Sequence, residues 1–475
     1  MRRIRLPLIA LVLVALAAAG LSLRPGRQSG ERQTLVATHE HEREADRGEN
    51  VAKELQEPAD ALLSRLAFGS DGSDLSTQYR NAIAQQHRLK ARTAAAAPDL
   101  ANAQWKLVGP TNIGGRILDI ALDPTKANTL YIAAAGGGVW RSTEKGENLK
   151  SVWPDDQTQA VGALAITPSG TLYAGTGETG PGGGSLTYGG TGVFRTDDQG
   201  KHWRRIGLEN TSRISRIVID PTNPRRIFVA ATGNLYKGTA DRGVYRSEDG
   251  GDTWKRVLAG DNDTTGAADI AIDPKNPKRL LATMWQHQRL PDARNYTGTG
   301  SGVYRSTDGG TTWSRIGSPL LGPNPLLGRM GVAIDPQNPD TVYVIASGTP
   351  VGGAHLGFYK STNFGDTFSL TLDPDNAGLG GAFTYGWWFG RLWVDPNNSN
   401  RIYSAGVDLM RSDDGGTTFN SAGGNAHADM HAMAWDPKVK GRVYLGNDGG
   451  LYRADDDGQT WNQVKYQPFS QPDSL

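Results

Sequence analysis

The chain has 475 residues with no cysteine, 62 glycines and 12 tryptophans, and its 50 basic and 49 acidic residues leave a formal charge of +1. That length buries a large core, while the lack of cysteine excludes disulfides, thiolate zinc sites and a cysteine nucleophile. So balanced a charge gives no electrostatic footprint for a phosphate backbone, which argues against nucleic acid as the main partner.

At the N-terminus, Arg2, Arg3 and Arg5 precede the apolar stretch Leu6–Leu23, which contains Ala17-Ala18-Ala19. A basic region, an apolar region and a small-residue cleavage site predict a signal peptide over residues 1–26. The alternative is an uncleaved single-span anchor, since the stretch is close to spanning length. Either reading places the rest of the chain outside the cytoplasm, secreted or surface-bound, with membrane contact only through that anchor. Losing the three arginines takes the formal charge from +1 to −2.

Residues 27–104 read as a partly helical spacer. Val51–Phe68 has helical periodicity interrupted by Pro58, and Thr77–Ala97 is a second candidate helix. Between and around them, Glu40–Glu49 and residues 69–75 are charged or Gly/Ser/Asp-rich and read as solvated.

From Trp105 onward one octapeptide recurs. Its clean copies are Ser247–Trp254, Ser306–Trp313 and Ser412–Phe419. Weaker copies are Thr196–Trp203, Ser361–Phe368 and Ala454–Trp461, with a decayed one at Ser142–Leu149. Successive copies lie 54, 51, 59, 55, 51 and 42 residues apart, a period that means a solenoid, a propeller or an array. Each repeat also carries an apolar run ending in Asp-Pro, as at Ile217–Pro221 and Val332–Pro336, except that the second has Ile166-Thr167-Pro168. An aromatic residue and a base precede the signature, as in Tyr245-Arg246 and Tyr304-Arg305, with Met410-Arg411 as the exception. Alternating β-branched segments fill the gaps, so one repeat reads strand, Asp-Pro turn, strand, variable loop, strand, signature turn, strand. Four antiparallel strands without an intervening helix are a propeller blade. The fold class is therefore all-β: a seven-bladed β-propeller over 105–466, with a tail at 467–475. Ring closure stays open between two strands, Trp105–Val108 and the one beginning at Trp461, and a fragment of an eighth blade is a further alternative.

The repeats resemble the BNR or Asp-box turns of sialidase-like propellers, sortilin-type receptors, xyloglucan-cleaving glycosidases and a photosystem II assembly factor. The nearest likeness is to large secreted bacterial propellers of the glycosyl-hydrolase-like kind. It runs from about Trp105 to Trp461 and includes Gly114-Gly115-Arg116, Gly175-Thr-Gly-Glu178 and Asn447-Asp-Gly-Gly450. The resemblance implies a carbohydrate-active protein with a polysaccharide or glycan at the central funnel. The alternative is a non-catalytic extracytoplasmic binding or assembly module that uses the same face for a peptide, glycan or protein. Two departures stand out. The Arg-Ile-Pro motif of sialidases is absent, and the acid that xyloglucan-cleaving relatives place before a Gly-Gly pair in blade one is replaced here by Ala134-Ala135-Gly136-Gly137. Asp448-Gly449-Gly450 recreates that pattern in blade seven.

Strand order places the Asp-Pro and signature turns on one face and the long variable connections on the other, where sites are built. On that second face the acid/base candidates are Glu178 and Asp448. Glycosidases need two carboxyl groups about 5–5.5 Å apart for retention or roughly 6.5–9.5 Å for inversion. Arg116, Arg216, Arg329 and Arg391 stand at inner-strand starts and form a candidate basic ring, or else pair with neighbouring acids. Trp285, Tyr296, Tyr385, Trp387 and Trp388 in the long loops offer faces for sugar rings, or pack the loops down. The alternating string His427-Ala-Asp429-Met-His431 reads as a polar funnel wall rather than a metal site. His287 and His355 are single candidates. No phosphate loop, dinucleotide fingerprint or serine elbow is present, and no cofactor is expected.

Overall fold

The computed structural model describes residues 75–96, 114–180, 187–290, 294–348, 355–373 and 385–469. The signal-peptide segment, Val51–Phe68 and Trp105–Val108 lie outside the described residues.

Seven four-stranded antiparallel sheets follow one another along the chain. Their innermost strands are Ile117–Leu122, Val161–Ile166, Ile214–Ile219, Thr265–Ile272, Met330–Ile334, Leu392–Asp395 and Met430–Trp435. In each sheet the order of strands in space is their order in sequence, as tight Asp-Pro and signature turns require. Blade four adds a short hairpin, Gln288–Arg289 with Arg294–Asn295, in its variable loop. The core lies between the blades: Tyr173 and Ile206 of blade two pack on Ile217, Ile227 and Val229 of blade three.

Local chemistry explains the signature turn. In blade four, Ser306 Oγ accepts from Gly310 N at 2.9 Å and donates to Asp308 Oδ1 at 2.8 Å. Asp308 Oδ1 in turn accepts from Thr311 N and Thr312 N, each at 2.9 Å. Gly310 has a φ of 76°, and a Cβ there would stand 2.6 Å from the Phe228 ring of blade three. The closing aromatic reaches back to the preceding blade. Trp203, Trp254 and Trp461 donate from Nε1 to the carbonyls of Val152, Ile206 and Ala422 at 2.6, 2.7 and 2.9 Å. The acid is structural.

The aromatic-plus-base landmark has the complementary job. Six of the seven bases reach forward to a carbonyl in the next blade's signature turn: Arg141 to Gln199, Arg195 to Gly250, Arg246 to Gly309, Arg305 to Phe364, Lys360 to Gly415, and Arg453 to Lys145 of blade one. Blade six, where Met410 replaces the aromatic, makes this link through Tyr403 Oη to Asp457 O at 3.1 Å. The belt closes on itself. Arg246→Met should lower stability by about 1.5–3 kcal/mol, the usual worth of a hydrogen bond involving a charged group. The check is a urea midpoint that falls with an unchanged slope.

Blade seven contains its own outer strand, Asn462–Gln463, paired with Gly450–Ala454. Blades one and seven therefore meet by side-chain packing, with Ile117 and Leu130 against Ala432, Tyr444 and Leu451. The folded chain continues past the sequence boundary at 466. Gln467 Oε1 accepts from Leu451 N at 2.6 Å, and Phe469 lies 5.4 Å from the Trp140 ring.

The spacer helix is present as α1, Leu75–Ala96. It rests on the variable-loop face of blades one and two. Arg80 Nη1 donates to Glu209 O at 3.3 Å, Tyr79 meets the Tyr188 ring edge-on, and His87 pairs with Asp156 at 3.2 Å. A hollow of about 550 Å³ separates the helix from Phe194, Trp203 and Arg205. Among the described residues, no helix is long and apolar enough to cross a membrane.

Candidate functional site

Five inner strands bear a β-bulge near their starts, at Leu118, Gly162, Ser215, Ala268 and His431. A bulged residue leaves the ladder, so its carbonyl is free to turn elsewhere. Three of these carbonyls are gathered by one side chain. Arg391 donates to Leu118 O at 3.0 Å, His431 O at 3.4 Å and Ser215 O at 2.9 Å, and so spans blades one, three, six and seven. Bulges in blades one and four also place Asp119 and Asp269 to stitch neighbours together. Asp119 accepts from Leu164 N and Asp269 from Val332 N, at 2.9 and 3.2 Å.

Above this layer, Glu178 and Asp448 converge on Arg116. The guanidinium grips Asp448 through Nε–Oδ1 and Nη2–Oδ2, both 2.8 Å, and meets Glu178 Oε1 through Nη1 at 2.6 Å. His431 Nε2 donates to Asp448 Oδ1 at 2.7 Å. Backbone geometry sets this up. Asp448 occupies a two-residue hairpin tip between paired Asn447 and Gly450, and Asn447 accepts from Gly449 N at 2.9 Å. Glu178 follows Gly177, whose φ is 93° and whose Cβ would lie 2.2 Å from Ser212 O.

Burial drives the proton affinities apart. Glu178 is only 3% exposed, and loss of solvent raises its pKa although Arg116 opposes the shift. Burial would also raise Asp448, but the hydrogen bonds from Arg116 and His431 outweigh it and hold the carboxylate ionised. Arg116 loses solvation too, yet the two acids keep its pKa above the ordinary value. His431 falls below 6.5 because burial outweighs Asp448.

The other arginines do not form an open ring. Arg216 pairs with Asp269 at 3.0 Å. Arg329 donates to the carbonyls of Trp387 and Trp388, and burial with the nearby Arg391 charge lowers its pKa to about 9. Arg391 drops to about 10 through burial and Arg216.

Nor do the aromatics offer open faces. Trp285, Tyr296 and Trp387 are buried in one cluster with Tyr236. Trp285 stacks on His287 at 4.1 Å, Tyr296 lies 5.2 Å from Trp387, and Tyr385 stands edge-on to Trp387. His287 is neutral, its pKa pushed well below 6.5 by burial and then by Arg242. Trp388 is the candidate aromatic that lies against Arg116, its ring 4.9 Å from the guanidinium and close to Gly180. The string His427, Asp429, His431 does not act as one strand face: Asp429 has a φ of 67° and His431 is a bulge, so His431 meets Asp448 through its Nε2 while Asp429 accepts from Asp448 N through its carbonyl at 3.3 Å. His427 is exposed. The His355 side chain lies outside the described residues.

Sequence reasoning passed over Asp119, Asp269 and Arg242. The available signal was a lone Asp inside an apolar strand, in Leu118-Asp119-Ile120 and Ala268-Asp269-Ile270.

Comparison with known proteins bears on the fold. The model of the sortilin family (sortilin, neurotensin receptor 3) matches residues 191–316. The oligoxyloglucan-reducing end-specific xyloglucanase of Emericella nidulans is 32% identical over 178 residues, 35% of this chain and 22% of that protein. A xyloglucanase of a Paenibacillus species is 26% identical over 377 residues, 70% of this chain and 34% of its own length. The chain thus spans about a fifth to a third of these curated relatives. The crystal structure of an ancestral GH74 enzyme superposes with a TM-score of 0.55 at 18% identity, covering 77% of this chain and 48% of that one, which is a likeness of fold. With the seven blades, these matches fit a propeller of the sialidase-like and xyloglucanase-like kind.

Proposed function

We propose that this chain is a carbohydrate-active propeller working outside the cytoplasm on a polysaccharide, with Glu178 and Asp448 as its acid/base pair. One observation carries the reading. Two carboxyl groups from blades two and seven meet at one guanidinium, and their surroundings push their proton affinities in opposite directions. A pair separated in this way has its roles assigned by environment. Glu178 would hold the proton for a leaving glycosidic oxygen, and ionised Asp448 would serve as base or nucleophile. Arg116 positions both, and His431 helps hold Asp448. Trp388 lies against the Arg116 guanidinium that joins the pair, so a sugar enters by displacing that indole. The xyloglucanase relatives supply the substrate class, and they motivate both the glycan ligand and the extracellular setting.

The second reading is a binding or assembly module without turnover, for a glycan, peptide or protein. It is favoured by the ion pairing itself, since Arg116 occupies both acids in the closed mouth.

A polysaccharide panel that includes xyloglucan separates the two. With Glu178→Gln and Asp448→Asn folded as wild type, kcat/KM should fall by roughly 10²–10⁴-fold in each. Equal hydrolysis by wild type and both variants removes these acids as catalysts. Glycan binding without any hydrolysis by wild type establishes the module.

A further inference from the structure

Contacts of the spacer helix α1 fall on three segments of blades one and two. His87 pairs with Asp156, Tyr79 meets the Tyr188 ring edge-on at 6.2 Å, and Arg80 Nη1 donates to Glu209 O. These segments are interlocked. Thr158 Oγ1 donates to Gly189 O at 3.2 Å, Arg213 Nη2 to Thr187 O at 2.8 Å, and Gly190 N to Ser212 O at 2.5 Å. They also bracket the candidate acid. Glu178 N donates to Tyr188 O at 3.0 Å, Gly177 N donates to Ala160 O at 2.8 Å, and Ser212 O presses on Gly177 from the other side.

The link over residues 208–213 is strained. Leu208 and Ser212 have φ of 60° and 61°, in the left-handed region that side chains enter only where their surroundings hold them. Thr211 Oγ1 holds Leu208 O at 2.8 Å, and Arg80 holds the carbonyl of Glu209 between the two strained residues. The docking of α1 is light all the same. None of its described side chains is buried, and Ile83 and Ala84 face the hollow beneath it. The pairs His87–Asp156 and Lys90–Asp155 are solvent-exposed, so they contribute little and weaken in salt. An element held in this way opens at low cost compared with the blades it covers.

We propose that α1 is a releasable strap, with Tyr79 and Arg80 as positioning residues that hold the segments around Glu178. Docked, it keeps the 208–213 link in its strained form against Gly177. Released, it lets that link relax and admits solvent to the Glu178 carboxyl. The consequence for catalysis rests on the acid role of Glu178 proposed above, whereas the coupling itself does not.

Hydrogen exchange on the full chain, resolved to single amides, decides it. In the double variant Tyr79→Ala/Arg80→Gln, the amides of Gly177, Glu178 and Gly190 should exchange roughly 5-fold or more faster than in wild type. Gly310, in the blade-four signature turn, should keep its rate. Tyr79→Phe, which retains the ring, and Arg92→Gln, at an exposed position of α1, should match wild type. Unchanged rates at Gly177 and Glu178 overturn the strap. So does acceleration that extends to Gly310, because the whole fold has then loosened. Where wild type hydrolyses a polysaccharide, the alkaline limb of kcat/KM should move to lower pH in the double variant, since burial is what raises the Glu178 pKa and release relieves it. An unmoved limb overturns the positioning role. A wild type without hydrolysis removes the acid role, and exchange alone then decides the strap.

Discussion

Replacing Arg116 with Leu is expected to cost roughly 3–5 kcal/mol at pH 7, the range for breaking a buried ion pair from one side. The substitution strands Glu178 and Asp448 in a site where the side-chain partner left to Asp448 is the neutral His431, and Arg213 is the cation still acting on Glu178. The loss should depend on pH, and the sign follows from the shifts. Asp448 is lowered in the native protein, so it stabilises above its unfolded pKa of about 3.9 and that stability fades as pH falls through the lower native value. Glu178 is raised, so it favours the fold when protonated and disfavours it as pH climbs through its native value. Without Arg116 both acids are raised, and the penalty grows with pH. Urea denaturation should therefore show a large deficit at pH 7 that shrinks toward pH 4. A deficit of equal size at both pH values would refute the account. Arg116→Lys should restore only part of the stability, because an ammonium cannot grip Asp448 with two parallel donors.

The second large effect is at Trp285. Its ring is fully buried, stacks on His287, lies beneath Arg329 at 5.7 Å, and donates from Nε1 to Tyr296 O at 2.7 Å. Trp285→Ala should cost about 3–5 kcal/mol, because the cavity it leaves is walled on several sides and cannot collapse. Trp388 is only half-buried, and Trp388→Ala should cost clearly less while freeing the face of Arg116. Chemical denaturation ranks the two variants, and xyloglucan oligosaccharide affinity shows which one alters the mouth. If Trp388→Ala proves the more destabilising, Trp388 is a structural pillar and not a cover.

The propeller was legible because its evidence is local. Ser306, Asp308 and Gly310 make their turn within a few residues of chain, so the pattern survives in sequence as a period. The convergence of Glu178 and Asp448 on one mouth follows from strand order, which that period also carries. The pairing of Arg116 with acids 62 and 332 residues away is not written locally, nor is the reach of Arg391 across the axis. Bulges are harder still. A single extra residue at His431 turns an apparent alternation into a break, and composition does not register it. The long-loop aromatics read equally as sugar platforms or as packing. Burial of Trp285, Tyr296 and Trp387 decides for packing in this conformation.

The belt of bases and signature turns has a consequence for how the molecule loosens. A linear array frays from its terminal units, which have one neighbour each. Here Arg453 returns to Lys145, so every blade is an interior blade. Amide hydrogen exchange has no ragged margin from which to spread, and any subglobal opening must sever two seams together.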